Sequence, residues 1–386
     1  MKPIVLPKII QNIYIQSSNI ENKMNLIPIF ALIFIAVIVS MFYLGWKIKN
    51  IFTAKNIRIN NFIFWSIYSI LMILIVYMHS MFIVVIMYSV ILYVIIDIIS
   101  MIFNFSRRKS KKSKHKRVIG FSKKVYQDGL TVLGIGVLLT IYAVYNAGHV
   151  VVKQYDVSID KKINDKNTLN IVTIYDLHLG TTVQKKGLDD MVKRTNSLKP
   201  DIIVLGGDTF DESTPELLKA QAFEAFKNFN STYGVYYITG NHDRLSDNLR
   251  KSFNESGIVT LEDRYVLIDN SIYIVGRNDA RNGARKKLSD IMQGIDSNNT
   301  IILLDHQPLD IPEAEKQGVD LQLSGHTHAG QLYPFNYIVG LVYDIGYGYM
   351  KKGNYNIIVS AGYGVWGFPV RIGSHSELVD VKVTGG

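Results

Sequence analysis

The chain has 386 residues, 48% hydrophobic and 19% charged, with no cysteine and a formal net charge of +10. Absence of cysteine excludes a soft sulfur metal site. The charge is lopsided: residues 1–150 hold 17 Lys and Arg against Glu21, Asp97 and Asp128, and the slightly acidic remainder excludes a polyanion-binding surface there.

Residues 24–46 carry no charged side chain and are long enough to cross a hydrocarbon core of about 30 Å. Residues 59–96 are again uncharged, too long for one span, and His79-Ser80 near their middle predicts a turn between two helices. A fourth apolar stretch covers 129–148. The expectation is an all-α membrane domain, residues 1–148, with about four transmembrane helices (24–46, 61–78, 81–104 and 129–148). Tyr43, Trp46, Trp65, Tyr142 and Tyr145 near the span ends suit the headgroup zone. Asp97, the one acid within a span, is close enough to its end to reach the interface.

Lys47, Lys49, Lys55 and Arg58 follow the first span, and loop 106–128 is almost purely basic from Arg107 to Lys124. Lys and Arg concentrate on the cytoplasmic side, so both loops are expected inside and the region after residue 148 outside. The basic loop has no interleaved aromatics for stacking bases, so lipid, not nucleic acid, is the expected partner.

Residues 149–168 read as a linker, with a short strand possible over 156–160 and a polar turn over 161–167. From 169 to 386 short apolar, β-branched runs alternate with polar segments. Helical spacing over 188–198 and from Pro215 to Phe229 separates the first strands, and further strands are expected at 266–268, 272–275, 355–360 and 377–383. Five strand-like runs each lead into a cluster of metal-ligating residue types: Asp176-Leu177-His178, Gly207-Asp208 with Asp211, Gly240-Asn241-His242-Asp243, Asp305-His306, and Gly325-His326-Thr327-His328. Ligands at the carboxyl ends of several strands converge on one rim of a sheet. Asp176, His178, Asp208, Asn241, His306, His326 and His328 provide the roughly seven oxygen and nitrogen donors that two ions sharing a carboxylate require. The donor set suits Mn, Fe or Zn, Mn foremost.

In this order the five motifs resemble those of the calcineurin-like metallophosphoesterase superfamily, over roughly residues 168–384, and more narrowly its membrane-anchored bacterial branch. The resemblance implies a four-layer α/β/β/α sandwich. It also implies that Asp176, His178 and His328 hold one ion, that Asn241, His306 and His326 hold the other, and that Asp208 bridges. His242 would protonate the leaving oxygen, supported by Asp211, while a hydroxide between the ions attacks phosphorus in line. Superfamily protein phosphatases carry Arg after that second Asp, where this chain has Glu212.

The string Gly362-Tyr363-Gly364-Val365-Trp366-Gly367 matches a dinucleotide fingerprint, but Phe368-Pro369 follows where a helix should begin. It is expected to be a glycine-rich loop that places Trp366 and Arg371 at the site mouth to contact substrate phosphate. The reading is a membrane-tethered phosphoesterase for a phosphomonoester or phosphodiester, lipid-linked or otherwise of the envelope. The alternatives are a UDP-diacylglucosamine-type pyrophosphatase, whose substrate is cytoplasmic, and a membrane sensor or transporter with a degenerate binding domain. Oligomeric state is not legible.

Overall fold

The computed structural model describes residues 27–78, 80–107, 130–163, 165 and 167–386. It divides into two compact units that meet between Tyr142 and Ala143.

In the first unit the uncharged runs form the helices Ile27–Ala54, Asn61–Met78, Ser80–Arg107 and the start of Leu130–Gly148. Residues 24–26, His79 of the expected turn and the basic loop from residue 108 lie outside the described residues. Leu44, Val90, Tyr93 and Val132 form one buried cluster, and Phe64, Tyr68 and Met72 another. Many apolar side chains point outward instead, Phe62 at 80% and Leu138 at 66% exposure, far beyond what a water-facing surface accommodates. Among the described residues, Met81–Ile102 and Thr131–Gly148 are long and apolar enough to cross a membrane, and Asn61–Met72 is a shorter apolar stretch. Two candidate spans therefore stand where four were expected. Asp97 is half-exposed, as a carboxylate near an interface would be, but it is also ion-paired at 2.6 Å with Lys47, which is buried. A partner of opposite charge offsets the cost of burying that ammonium.

Among its described residues the second unit has twelve strands: β1 (Val150–Ile159), β2 (Thr168–Ile174), β3 (Ile202–Leu205), β4 (Val235–Tyr237), β5 (Ile258–Thr260), β6 (Arg264–Ile268), β7 (Ile272–Gly276), β8 (Thr300–Leu304), β9 (Leu321–Ser324), β10 (Gly348–Lys352), β11 (Tyr355–Val359) and β12 (Ser376–Gly385). They make two six-stranded mixed sheets, ordered β1-β12-β2-β3-β4-β5 and β10-β11-β9-β8-β7-β6. The neighbours β2 to β5, and β7, β8, β9 and β11, are parallel. Parallel strands are covered on both faces, and β3, β8 and β9 are buried at every position.

Ile171, Val204, Ile274, Ile302, Leu323 and Val381 belong to one core between the sheets. A second core backs the first sheet with the helices Lys185–Ser197, Glu216–Phe226 and Asp247–Glu255. A third backs the other sheet with Leu288–Ile291 and Ile311–Lys316. This is the four-layer α/β/β/α arrangement expected. The linker over 149–168 is not found: Val150–Ile159 is an edge strand, parallel to β12 along its whole length, and only 160–167 remain outside strands. The short strand held possible over 156–160 is the end of this longer one, whose full length pairs with a strand more than two hundred residues away.

Candidate metal centre

Each ligand-type side chain sits just beyond a parallel strand, and several occupy backbone conformations that non-glycine residues avoid. Asp176, His178, Asp208, His326 and His328 all have φ between +40 and +71°. At about 1–2 kcal/mol each, such strain persists only where surrounding bonds impose it. Here Asp176 N donates to Gly207 O at 3.1 Å and His178 N to Asp208 O at 2.9 Å. From the other side Gly364 N donates to Asp176 O at 2.9 Å. A Cβ on Gly207 would come within 2.6 Å of Gly240 N and 2.7 Å of His306 Nδ1, so only glycine lets the three loops approach this closely.

Two ligand groups result, Asp176 with His178 and His328, and Asp208 with His306 and His326. Within the first, the Nε2 atoms of His178 and His328 face each other at 3.2 Å, and His328 Nε2 lies 3.6 Å from Asp176 Oδ1. Within the second, His306 Nε2 lies 3.2 Å from Asp208 Oδ2. The groups adjoin: Asp208 Oδ2 is 3.8 Å from His178 Nε2, and Asp176 Oδ1 is 3.9 Å from His306 Nε2. Asp176, His178, Asp208 and His306 are essentially inaccessible to water. Asn241 Oδ1 and His306 Nε2 are buried without a hydrogen bond. Facing imidazole nitrogens and orphaned buried acceptors are costly unless a cation satisfies them, so the donor set fits divalent metal.

The electrostatics divide the four imidazoles: burial opposes charge on His306 and His178, but Asp208 beside the first and Asp211 beside the second prevail and raise both above their ordinary pKa. Burial holds the imidazoles of His326 and His328 well below their ordinary pKa, hence neutral with lone pairs available. Burial alone would raise Asp208, but His306 and His178 beside it prevail and hold it well below the usual carboxylate range. Burial raises Asp176. His306 Nδ1 lies 2.9 Å from Gly206 O, a contact that requires the proton on Nδ1 and leaves Nε2 to face the site.

His242 is held by its backbone N–H, which donates to Asp208 Oδ1 at 2.7 Å. Its ring lies 5.3 Å from that of His178 and 5.9 Å from that of Trp366, between centroids. Burial lowers its pKa. Asp211 Oδ1 is 2.8 Å from His178 Nδ1 and 4.0 Å from His242 Nδ1. The carboxylate expected to support His242 thus lies within hydrogen-bond distance of His178 and farther from His242.

Arg371 requires a correction. It is fully buried, and its guanidinium donates to His328 O at 3.2 Å, Gly364 O at 2.8 Å and Ser374 Oγ at 3.1 Å. Burial lowers its pKa to about 10. Three donors committed inward leave it tying the glycine-rich loop to the His328 turn, not lining the mouth. Trp366 is at the surface, 36% exposed, with its backbone N–H donating to Gln331 Oε1.

Two acids of the sequence motifs take roles that the sequence did not assign. Asp243, partly buried, accepts from Thr209 N, Phe210 N and Gly240 N and so ties together the loops that carry Asp208 and Asn241. Asp305 faces away from the metal groups, accepting from Arg277 Nη1 at 3.1 Å and from Arg285 Nη2 at 2.7 Å, with all three side chains buried. Asp305→Ala is therefore expected to leave the two guanidiniums only the half-exposed Asp310, 3.2 Å from Arg277 and 3.7 Å from Arg285, and to cost about 1–3 kcal/mol. A thermal-unfolding midpoint in detergent unchanged from the parent would show that the pair is not the support of the His306 loop.

A site of this composition on the rim of a four-layer sandwich defines a metallophosphoesterase. The family model for calcineurin-like phosphoesterase matches residues 169–330. The sequence is 32% identical over 262 residues to an uncharacterized metallophosphoesterase of Campylobacter jejuni, covering 64% of this chain and 68% of that protein. It is 33% identical over 266 residues to one of Aquifex aeolicus, covering 65% and 98%. A transmembrane protein with metallophosphoesterase domain from Danio rerio is 29% identical over 275 residues, covering 66% of this chain and 62% of that protein. The chain belongs to the calcineurin-like metallophosphoesterases and is a metal-dependent phosphoesterase.

Proposed function

We propose that the chain is a membrane-anchored two-metal phosphoesterase in which Asp176, His178 and His328 hold one ion, Asn241, His306 and His326 the other, and Asp208 bridges. The observation that carries this is the meeting of two three-residue groups through Asp208 Oδ2, which faces His306 at 3.2 Å and His178 at 3.8 Å. Divalent metals held by these residues would supply Lewis acidity, favouring ionisation of an attacking water and offsetting charge on the phosphoryl oxygens. His242, beside the pair and anchored to Asp208, donates the proton to the leaving oxygen. Asp211, held against His178, orients that imidazole and adds negative charge near His242. Manganese, iron and zinc all suit the donor set. Turnover of bis-nitrophenyl phosphate by the purified full-length chain, loaded with each metal in turn, tests the reading, and no turnover with any of them would overturn it.

The anchor is the apolar N-terminal unit, read as four spans with the basic loops inside. This orientation puts the metal centre outside the cytoplasm and points to an envelope or lipid-linked phosphoester. A reporter active only after export should be active when fused after Gly386 and inactive when fused near Ser113. The reverse pattern would move the centre into the cytoplasm and favour a nucleotide-linked lipid intermediate.

A further inference from the structure

From Ala329 to Tyr343 the chain has no charged residue, and the middle of this stretch forms the helix Phe335–Val342, in which no residue is buried. Tyr337 is 63% and Leu341 76% exposed, and Tyr333 and Phe335 at its start are exposed too. A helix this apolar ordinarily covers a core. Left in water, each large apolar side chain forgoes about 1.5–3 kcal/mol of burial.

What covers it follows from its attachments. At one end it continues from the His328–Gly330 turn of the metal centre, and at the other the Tyr343 ring lies 6.2 Å from that of His326. Just before the helix, Ile372 N donates to Gln331 O at 2.9 Å and Tyr333 N to Ile372 O at 2.8 Å. The adjoining Arg371 N donates to Ala143 O at 2.9 Å, and Asn146 Nδ2 donates to Arg371 O at 3.0 Å and Ser374 O at 2.8 Å. Asn146 is buried and His375 Nδ1 meets its Oδ1 at 2.9 Å, so this junction is fully bonded. Ala143 and Asn146 belong to the last turns of Thr131–Gly148, one of two stretches among the described residues apolar enough to span a membrane. A single segment, Arg371–Ser374, therefore clamps the end of a candidate span on one side and the start of the exposed apolar helix on the other. Tyr333, Tyr337 and Trp366 on this rim have the amphipathic rings that favour the headgroup zone.

We propose that Phe335–Val342 is a membrane-surface foot, lying in the interface of the bilayer that Thr131–Gly148 enters and holding the metal centre at headgroup depth. The substrate phosphoester is then one carried by a lipid, a step that rests on the phosphoesterase function proposed above, whereas insertion of the foot does not.

The chain has no cysteine, so Leu341→Cys in the full-length protein takes a single environment-sensitive fluorophore. In phosphatidylcholine nanodiscs, lipids with a shallow spin label should quench it. Absence of quenching, or shielding that appears only as protein concentration rises and so reports a second copy on this face, overturns the foot. The substrate class is read with the Tyr337→Asp, Leu341→Asp double variant and two nitrophenyl phosphodiesters, one soluble and one carrying diacylglycerol in the nanodisc. Relative to the parent, turnover of the lipid ester should fall about tenfold or more while the soluble ester changes less than about twofold. Equal losses on both esters would make the helix merely structural, and no loss on either would overturn the lipid assignment. If the metal-loaded parent cleaves neither ester, the proposed enzymatic function fails and takes the lipid substrate with it, while quenching still decides the foot.

Discussion

Asp208→Asn is expected to empty both metal positions and abolish turnover. Asp208 Oδ1 already accepts the His242 N–H at 2.7 Å, so Oδ2 alone is left to face His306 at 3.2 Å and His178 at 3.8 Å. An amide in its place keeps the shape but loses the negative charge, and one of its two ends becomes a donor aimed at the imidazoles proposed as ligands. Loss of an outer partner of a ligand commonly costs about 10–100-fold in metal affinity, and loss of a shared ligand should exceed that for both ions. Metal analysis of the purified full-length variant after exhaustive dialysis checks it. Two ions retained per chain would refute the bridging assignment, and unchanged circular dichroism would show that a loss is local.

His242→Asn should leave metal content unchanged and cut turnover by about 10²–10⁴-fold, the usual contribution of a positioned general acid. No ligand group includes His242, and its backbone bond to Asp208 survives any side-chain change, so the metal loops keep their support. The defect should depend on leaving group. Nitrophenolate departs with little protonation and an alkoxide does not, so the variant should be most impaired on alkyl phosphoesters. Equal impairment on both would count against proton donation, and a fall in bound metal would make His242 a ligand.

The two candidate ligand groups were legible in sequence because their parts are local. A run such as Thr300–Leu304 followed by Asp305-His306 states both strand and ligand, since burial on two faces demands unbroken apolar residues and the turn beyond the strand is where polar groups can stand. Elements whose extent or direction depends on remote partners were legible only in part. Of Val150–Ile159 only the end was expected as a strand, and the rest pairs with β12. Arg371, given as a site-mouth residue by its place after a glycine-rich loop, is turned inward because His328 O, Gly364 O and Ser374 Oγ converge on it.

Sequence by itself determined the chemistry of this protein: which donors are available, the order of the five motifs, the lack of thiolate, and apolar helices before a catalytic domain. Periodicity and residue type suffice for these, because ligand softness and strand burial are properties of short segments. Tertiary structure decided which groups face each other. It joined Asp208 to both ligand groups, gave Asp211 to His178 before His242, set Asp305 against Arg277 and Arg285, and left the helix Phe335–Val342 uncovered beside the metal centre. Those contacts join residues far apart in the chain, and a side chain's direction there is fixed by backbone pairing and packing that no local pattern encodes.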